Sequence, residues 1–266
     1  MRGLFLLLTF FFQAASYASD SLTVLKIIPM HSRFMTTDEL GNVYVVRDDN
    51  SLVRFDENGD SSAFFRSIQN GEIASVDATN PMNIVVYYPA YSRVVILDRQ
   101  LAQKIDLDLR RLNIANTSVV AASADGNLWV YDQFNARLRK IDQQLNEVVQ
   151  SNDVRIETNA VPTPSFMIER DWKVFLCDTV RGIFTFDRYA NYVNTLAVYG
   201  VKHLQVFGSQ LIYRNADSLV SWDRSKVHWN VLQIPRKGRI INAALIRNTL
   251  YVLYEDALIL YRFKQH

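Results

Sequence analysis

An apolar run ending in aspartate returns five times along this chain. SLVRFD closes on Asp56, RVVILD on Asp98, RLRKID on Asp142, GIFTFD on Asp187 and SLVSWD on Asp223, and a sixth run, ALILYR, ends on Arg262. Successive ends lie 42, 44, 45, 36 and 39 residues apart. A period of roughly 40 residues holding several short apolar runs means one small sheet per repeat, because a unit of that size cannot bury its own faces and must pack on its neighbours. Many runs are continuous rather than alternating, as in NIVVYY, NLWVYD and KVFLCD. Strands with that pattern are covered on both faces.

Each unit reads as four strands, with the aspartate opening the turn from the third to the fourth, where its side chain accepts backbone N–H bonds. The first unit is RFMTTDE, NVYVVR, SLVRFD and SSAFFRS, with glycine-containing turns over 39–42 and 57–60. In the third, Asp125-Gly126 is a hairpin signal. Six units begin near Phe34, Ile73, Ser118, Ser165, His203 and Ile240, but the sixth holds only three strands. One unassigned strand, LTVLKIIP over 22–29, precedes the first unit. The chain is therefore expected to be all-β, a six-bladed β-propeller whose ring is closed by residues 22–29 as the outermost strand of the last blade. Closure of that kind removes the open edge of an unfinished sheet.

Composition narrows the function classes. Hydrophobic residues make up 49% and charged residues 21%, the profile of a folded chain. The 29 basic and 27 acidic residues are interspersed, without the basic stripe that nucleic acid requires. At the N-terminus, Arg2 precedes an apolar run from Leu4 to Phe12, and Ser16-Tyr17-Ala18 fits a small-x-small cleavage site. Residues 1–18 are expected to be a signal peptide and 19–266 the propeller domain. The run is too short to span a bilayer as a helix, so no transmembrane span is expected in the mature chain. Cys177 is the only cysteine, which excludes an intramolecular disulfide.

The repeat resembles six-bladed propellers of the NHL-like and YncE-like class. More narrowly, ASVDATNPMNIVVYYPAYSRVVILDRQL is similar to a stretch of an uncharacterised family of exported propeller proteins of Bacteroidota-type bacteria, through Ser75-Val76-Asp77, Asn80-Pro81, Tyr87-Tyr88 and Leu97-Asp98. The resemblance implies the fold and export to the periplasm or the periphery of the outer membrane. It implies no activity.

Two surfaces offer candidate residues. Loops leading to the innermost strands, at the expected channel mouth, carry His31, Arg33, Glu72, Asn116, Lys202 with His203, and Arg239. One carboxylate among basic groups does not suit a hard divalent cation, and the four histidines lack metal spacing, so neither a metal nor a cofactor is expected. Loops between second and third strands read YYPAYSR and YDQFNAR. They set Tyr88, Tyr91 and Arg93 against Tyr131, Phe134 and Arg137, residue types enriched at protein interfaces. Asp77 reads as a turn cap rather than half of a catalytic pair. The expected function is non-catalytic binding or scaffolding through these rim loops, with another envelope protein as partner. The alternative is a small-molecule binder or lactonase-like hydrolase at the channel mouth.

Overall fold

The computed structural model describes residues 22–112, 114 and 117–263. The expected signal peptide lies outside them, as does Asn116. β1 (Leu22–Pro29) comes first. Blade 1 runs outward from the axis as β2 (Ser32–Thr37), β3 (Val43–Arg47), β4 (Leu52–Phe55) and β5 (Ser61–Phe65). Blade 2 holds β6 (Ser75–Asp77), β7 (Ile84–Tyr88), β8 (Arg93–Leu97) and β9 (Gln103–Asp108). Blade 3 holds β10 (Thr117–Ala122), β11 (Leu128–Asp132), β12 (Arg137–Ile141) and β13 (Glu147–Gln150). A single helical turn, α1 (Val154–Thr158), precedes blade 4, whose strands are β14 (Phe166–Arg170), β15 (Lys173–Asp178), β16 (Gly182–Asp187) and β17 (Tyr192–Leu196). Blade 5 holds β18 (Leu204–Phe207), β19 (Gln210–Asn215), β20 (Ser218–Asp223) and β21 (His228–Gln233). Blade 6 holds β22 (Ile240–Ile246), β23 (Thr249–Tyr254) and β24 (Ala257–Phe263).

The fourth strand of blade 6 is β1, antiparallel to β24 from Leu22 opposite Phe263 to Pro29 opposite Ala257, with a bulge between Val24 and Lys26. This is the closure expected from the repeat. It also accounts for Arg262, which sits inside β24 where the other copies carry aspartate: the fourth strand comes from before the first blade, so blade 6 needs no aspartate to turn its third strand into its fourth.

In blades 1 to 4 the aspartate builds the same five-residue turn. Asp56 accepts from the N–H groups of Asn58 and Asp60, Asp98 from Gln100 and Ala102, Asp142 from Gln144 and Asn146, and Asp187 from Tyr189 and Asn191. The residue three past each aspartate is left-handed: Gly59, Leu101, Leu145 and Ala190. Only the first is glycine. The other three sit in a conformation that costs an L-residue about 1–2 kcal/mol, so the turn is held by the aspartate and its ladder rather than by permissive backbone.

These carboxylates tie stability to pH. The Asn146 side chain and backbone amides hold Asp142 below the ordinary carboxylate range. At Asp187 burial pushes upward but is outweighed by bonds from Asn191 and Tyr189, and the Ser225 and Ser209 hydroxyls pull Asp223 down to about 2. A carboxyl depressed by folding stabilises the native state fully above its unfolded value, near 4, and gives that up as pH falls through its folded value. The contribution of these aspartates to the urea midpoint is therefore expected to hold from neutral pH to about 4.5 and to fall steeply between about 4 and 2. A midpoint unchanged across that window would remove the turn aspartates as the source of acid sensitivity.

The core is not one mass but six layers, each between two successive blades. Val45 and Phe55 of blade 1 meet Leu253 and Leu258 of blade 6, while Tyr44 and Leu52 on the other face of blade 1 meet Ile84 and Tyr88 of blade 2. The pattern continues around the ring. Both faces of every blade are thus buried, the physical reason for the continuous apolar runs. Side chains also stitch neighbouring blades together: Asn50 accepts from Ile73 N–H, Tyr87 Oη donates to the Thr117 carbonyl, and Asn242 Nδ2 donates to the Met35 carbonyl.

Candidate functional site

The antiparallel order places the loops entering the innermost strands, and those between second and third strands, on one face of the ring, called upper here. Loops between first and second strands, and between third and fourth, form the lower face. The axial channel between the faces is lined by one residue or more from every blade, among them Thr37, Asp77, Val119, Ile168, Gln205 and Ile246. Its cavity is about 60 Å³, room for a few waters and too small for a substrate.

The wider hollow, about 550 Å³, opens at the lower mouth among Glu39, Thr79, Ser123, Glu169, Arg170 and Phe207. Here Arg170 of blade 4 reaches Glu39 of blade 1, diametrically opposite in a ring of six, in an ion pair of 2.8 Å. The pair bridges the lower mouth of the channel. Beside it, buried Glu169 accepts from Ser123 Oγ at 2.6 Å and from the Trp129 indole N–H, locking blade 4 to blade 3. Asp77 accepts from Thr79 N–H at 2.9 Å and from Ala122 N–H at 2.8 Å in the next blade. Burial pushes its carboxyl up, with these amide bonds and Arg170 pulling the other way. Asp77 is thus a turn cap, as expected from the sequence, and an inter-blade link besides. None of Glu39, Ser123, Glu169 and Arg170 is singled out by sequence reasoning. The only signal was the charged end of FMIER, unusual in so apolar an innermost strand.

The upper face receives the expected channel-mouth residues, but not as one cluster, and none of the described ones lines the axial cavity. Arg33 is spent locally, donating to Glu72 at 3.0 Å and to Asn50 at 2.6 Å. His31 Nδ1 lies 3.0 Å from the Glu255 carbonyl oxygen, and exposed Arg239 is 4.0 Å from the Glu255 carboxylate. His203 lies apart in a pocket formed by the loop into blade 5, the end of β19 and Asn242 of blade 6, its ring edge-on to Phe166 at 5.4 Å. Burial, with repulsion from Arg214 and Lys202, lowers it to about 4. Asp77 and His203 therefore have shifted proton affinities but line different cavities, and no acid–base pair is assembled from them. Cys177 is fully buried, and burial pushes its thiol up, away from nucleophilic chemistry. Among the described residues no group of three or more histidine, cysteine, aspartate or glutamate side chains is placed to hold a metal ion.

The rim residues need correction. Tyr88 and Tyr131 are fully buried and cannot touch a partner. Arg93 and Arg137 do correspond, each opening the third strand, but Arg93 pairs with Tyr88 whereas Arg137 pairs with Asp132. Tyr131 is thus the counterpart of Tyr87, and the matched aromatics were one residue out of step. In a strand that step moves a side chain to the opposite face, so Tyr88 packs toward blade 1 and Tyr131 toward blade 4. Nor is Arg93 a free rim charge: it lies 2.9 Å from Asp106 and 3.6 Å from Asp108. Arg137 is half-buried and donates to the Ser151 carbonyl at 3.4 Å. Tyr91 and Phe134 do face solvent, 51% and 76% exposed. Other upper-face loops of blades 1 to 5 add Ile68, Ile156, Val180 and Tyr199, all more than half exposed. The sequence pattern does not mark them, because single apolar residues in loops carry no periodic signal.

No family model matches the chain, and no curated protein matches it in sequence. Solved structures do. The chain is similar to virginiamycin B lyase from Staphylococcus aureus, with a TM-score of 0.61 at 9% identity over 92% of this chain and 100% of that one. Similarity to the Pan2 WD40 domain of Neurospora crassa is comparable, with a TM-score of 0.61 at 9% identity over 94% and 98%. BamB from Moraxella catarrhalis gives a TM-score of 0.51 at 13% identity over 92% and 99%. At such identities these likenesses establish that the chain has the β-propeller fold.

Proposed function

We propose that this chain is an exported binding or scaffolding module that engages an envelope protein through its upper-face loops and performs no catalysis of its own. The observation that carries the reading is the succession of exposed apolar side chains there, Tyr91 on blade 2, Phe134 on blade 3, Ile156 on the loop that follows and Val180 on blade 4. Single exposed apolar residues are ordinary, whereas several on consecutive loops of one face are the pattern of an interaction surface. Export is supported by the apolar N-terminal run with its small-x-small motif, and by the narrower likeness of 74–101 to exported propellers. The fold does not choose between roles, since it is shared with a lyase as well as with a WD40 domain and BamB.

The test is capture of crosslinked partners from envelopes by the wild-type chain and by the Tyr91→Ala, Phe134→Ala double variant. Loss of two exposed aromatic anchors is expected to cost about 2 kcal/mol or more of binding and to leave the melting temperature within a few degrees. Undiminished capture by the double variant would overturn the assignment of this face.

A further inference from the structure

We propose that the upper-face pocket bounded by the loop into blade 5, the end of β19 and Asn242 of blade 6, with Tyr199, Lys202, His203, Arg214 and Asn215 in its wall, binds a doubly charged oxyanion of the phosphate type. Its cavity is about 100 Å³, enough for such a group and not for a whole nucleotide. Lys202 and Arg214 both line it, and among the described residues neither is ion-paired with a carboxylate. The acid nearest in influence, Asp217, lies outside the lining and is 3.3 Å from Arg236. Arg214 is held in place by two backbone carbonyls, Ala216 at 2.7 Å and Ile241 at 3.4 Å. A guanidinium has five N–H donors, so three remain for a ligand in a fixed fork. The His203 ring makes no hydrogen bond to a described residue and is steadied by Phe166.

Positive charge packed this way is self-repelling. Burial lowers the proton affinity of Arg214, and burial with Arg214 and Lys202 does the same to His203. An oxyanion relieves both effects at once, and two cations, of which Arg214 is held in place, favour a dianion over a carboxylate. Exposed Tyr199 at the lip leaves space for the remainder of a larger phosphate-bearing molecule.

Sulfate is the cleanest probe, because it stays a dianion across the pH range of interest. Titration of the full chain with sulfate at constant ionic strength near neutral pH, followed by NMR of the His203 ring and the Arg214 Nε–H, is expected to saturate with a Kd on the order of 1 mM. Acetate is expected to bind at least about tenfold more weakly. Arg214→Gln should weaken sulfate about tenfold or more, and Lys202→Gln, an exposed change with little call on folding, by about threefold or more. Arg239→Gln, outside the pocket, should leave binding unchanged. The proposal is overturned by a lack of saturable change in the wild-type chain, by acetate binding as tightly as sulfate, or by unaltered sulfate binding in both pocket variants.

Discussion

A chain beginning at His31 is expected to melt at least about 10 °C below one beginning at Ser19, or to be insoluble. It would lack β1, whose register with β24 spans Leu22 to Pro29. Several ladder hydrogen bonds at about 1 kcal/mol net each would be lost, and with them the packing of Ile28 between blades 6 and 1. The ion pair from Lys26 to Asp60, which fastens β1 to blade 1, would go too. A loss of about 5 kcal/mol is a large part of the 5–15 kcal/mol that typically holds a domain together. At about 2–4 °C per kcal/mol, it gives the expected fall. Point variants separate the strand's backbone from its side chains. Ile27 is half exposed, so Ile27→Ser should be nearly neutral, whereas Ile28→Ser should be costly. Equal melting temperatures for the two chain lengths would show that the ring does not depend on its closing strand.

Trp129→Ala is expected to cost about 3–5 kcal/mol, the range for removing a fully buried large aromatic. Trp129 fills the layer between blades 3 and 4, lies 4.6 Å below Lys140 Nζ at the ring centroid, and donates its indole N–H to Glu169. Trp129→Phe isolates the last of these. Glu169 would keep only Ser123 Oγ, and its other oxygen, Oε1, already has no hydrogen-bond partner. A buried carboxylate so deprived should cost about 1–3 kcal/mol. Adding Glu169→Gln to Trp129→Phe should then recover part of the loss, because the charge that needed the donor is gone. Urea midpoints for the three variants decide the matter. A Trp129→Phe chain as stable as wild type would mean that the Glu169 link contributes nothing to joining the blades.

The contrast between Tyr88 and Tyr91 shows where sequence reasoning stops. Both lie in YYPAYSR, and both are amphipathic aromatics at a loop. The chain turns through Pro89–Tyr91, with Ser92 left-handed, so that Tyr88 ends a buried strand and Tyr91 stands in solvent three residues later. The same slip of one position assigned Tyr131 to the rim. Loop residues have no period to fix their phase, and one residue decides the face.

Blade number, blade boundaries, the turn role of Asp56, Asp98, Asp142 and Asp187, and the closing strand were all legible in the sequence alone, because each rests on local pattern: runs of apolar residues, short polar turns and a repeat that must be completed. Tertiary structure alone decided which residues meet. Arg170 and Glu39 are 131 positions apart and face each other only because blades 1 and 4 are opposite in a ring of six. Lys202, His203 and Arg214 share a pocket because the loop before β18 and the end of β19 lie together on the upper face of blade 5, where Asn242 of blade 6 completes the wall. Neither meeting has a signature in the one-dimensional pattern. Contacts among side chains of different blades depend on ring geometry, and the repeat specifies the blades without specifying what their loops enclose.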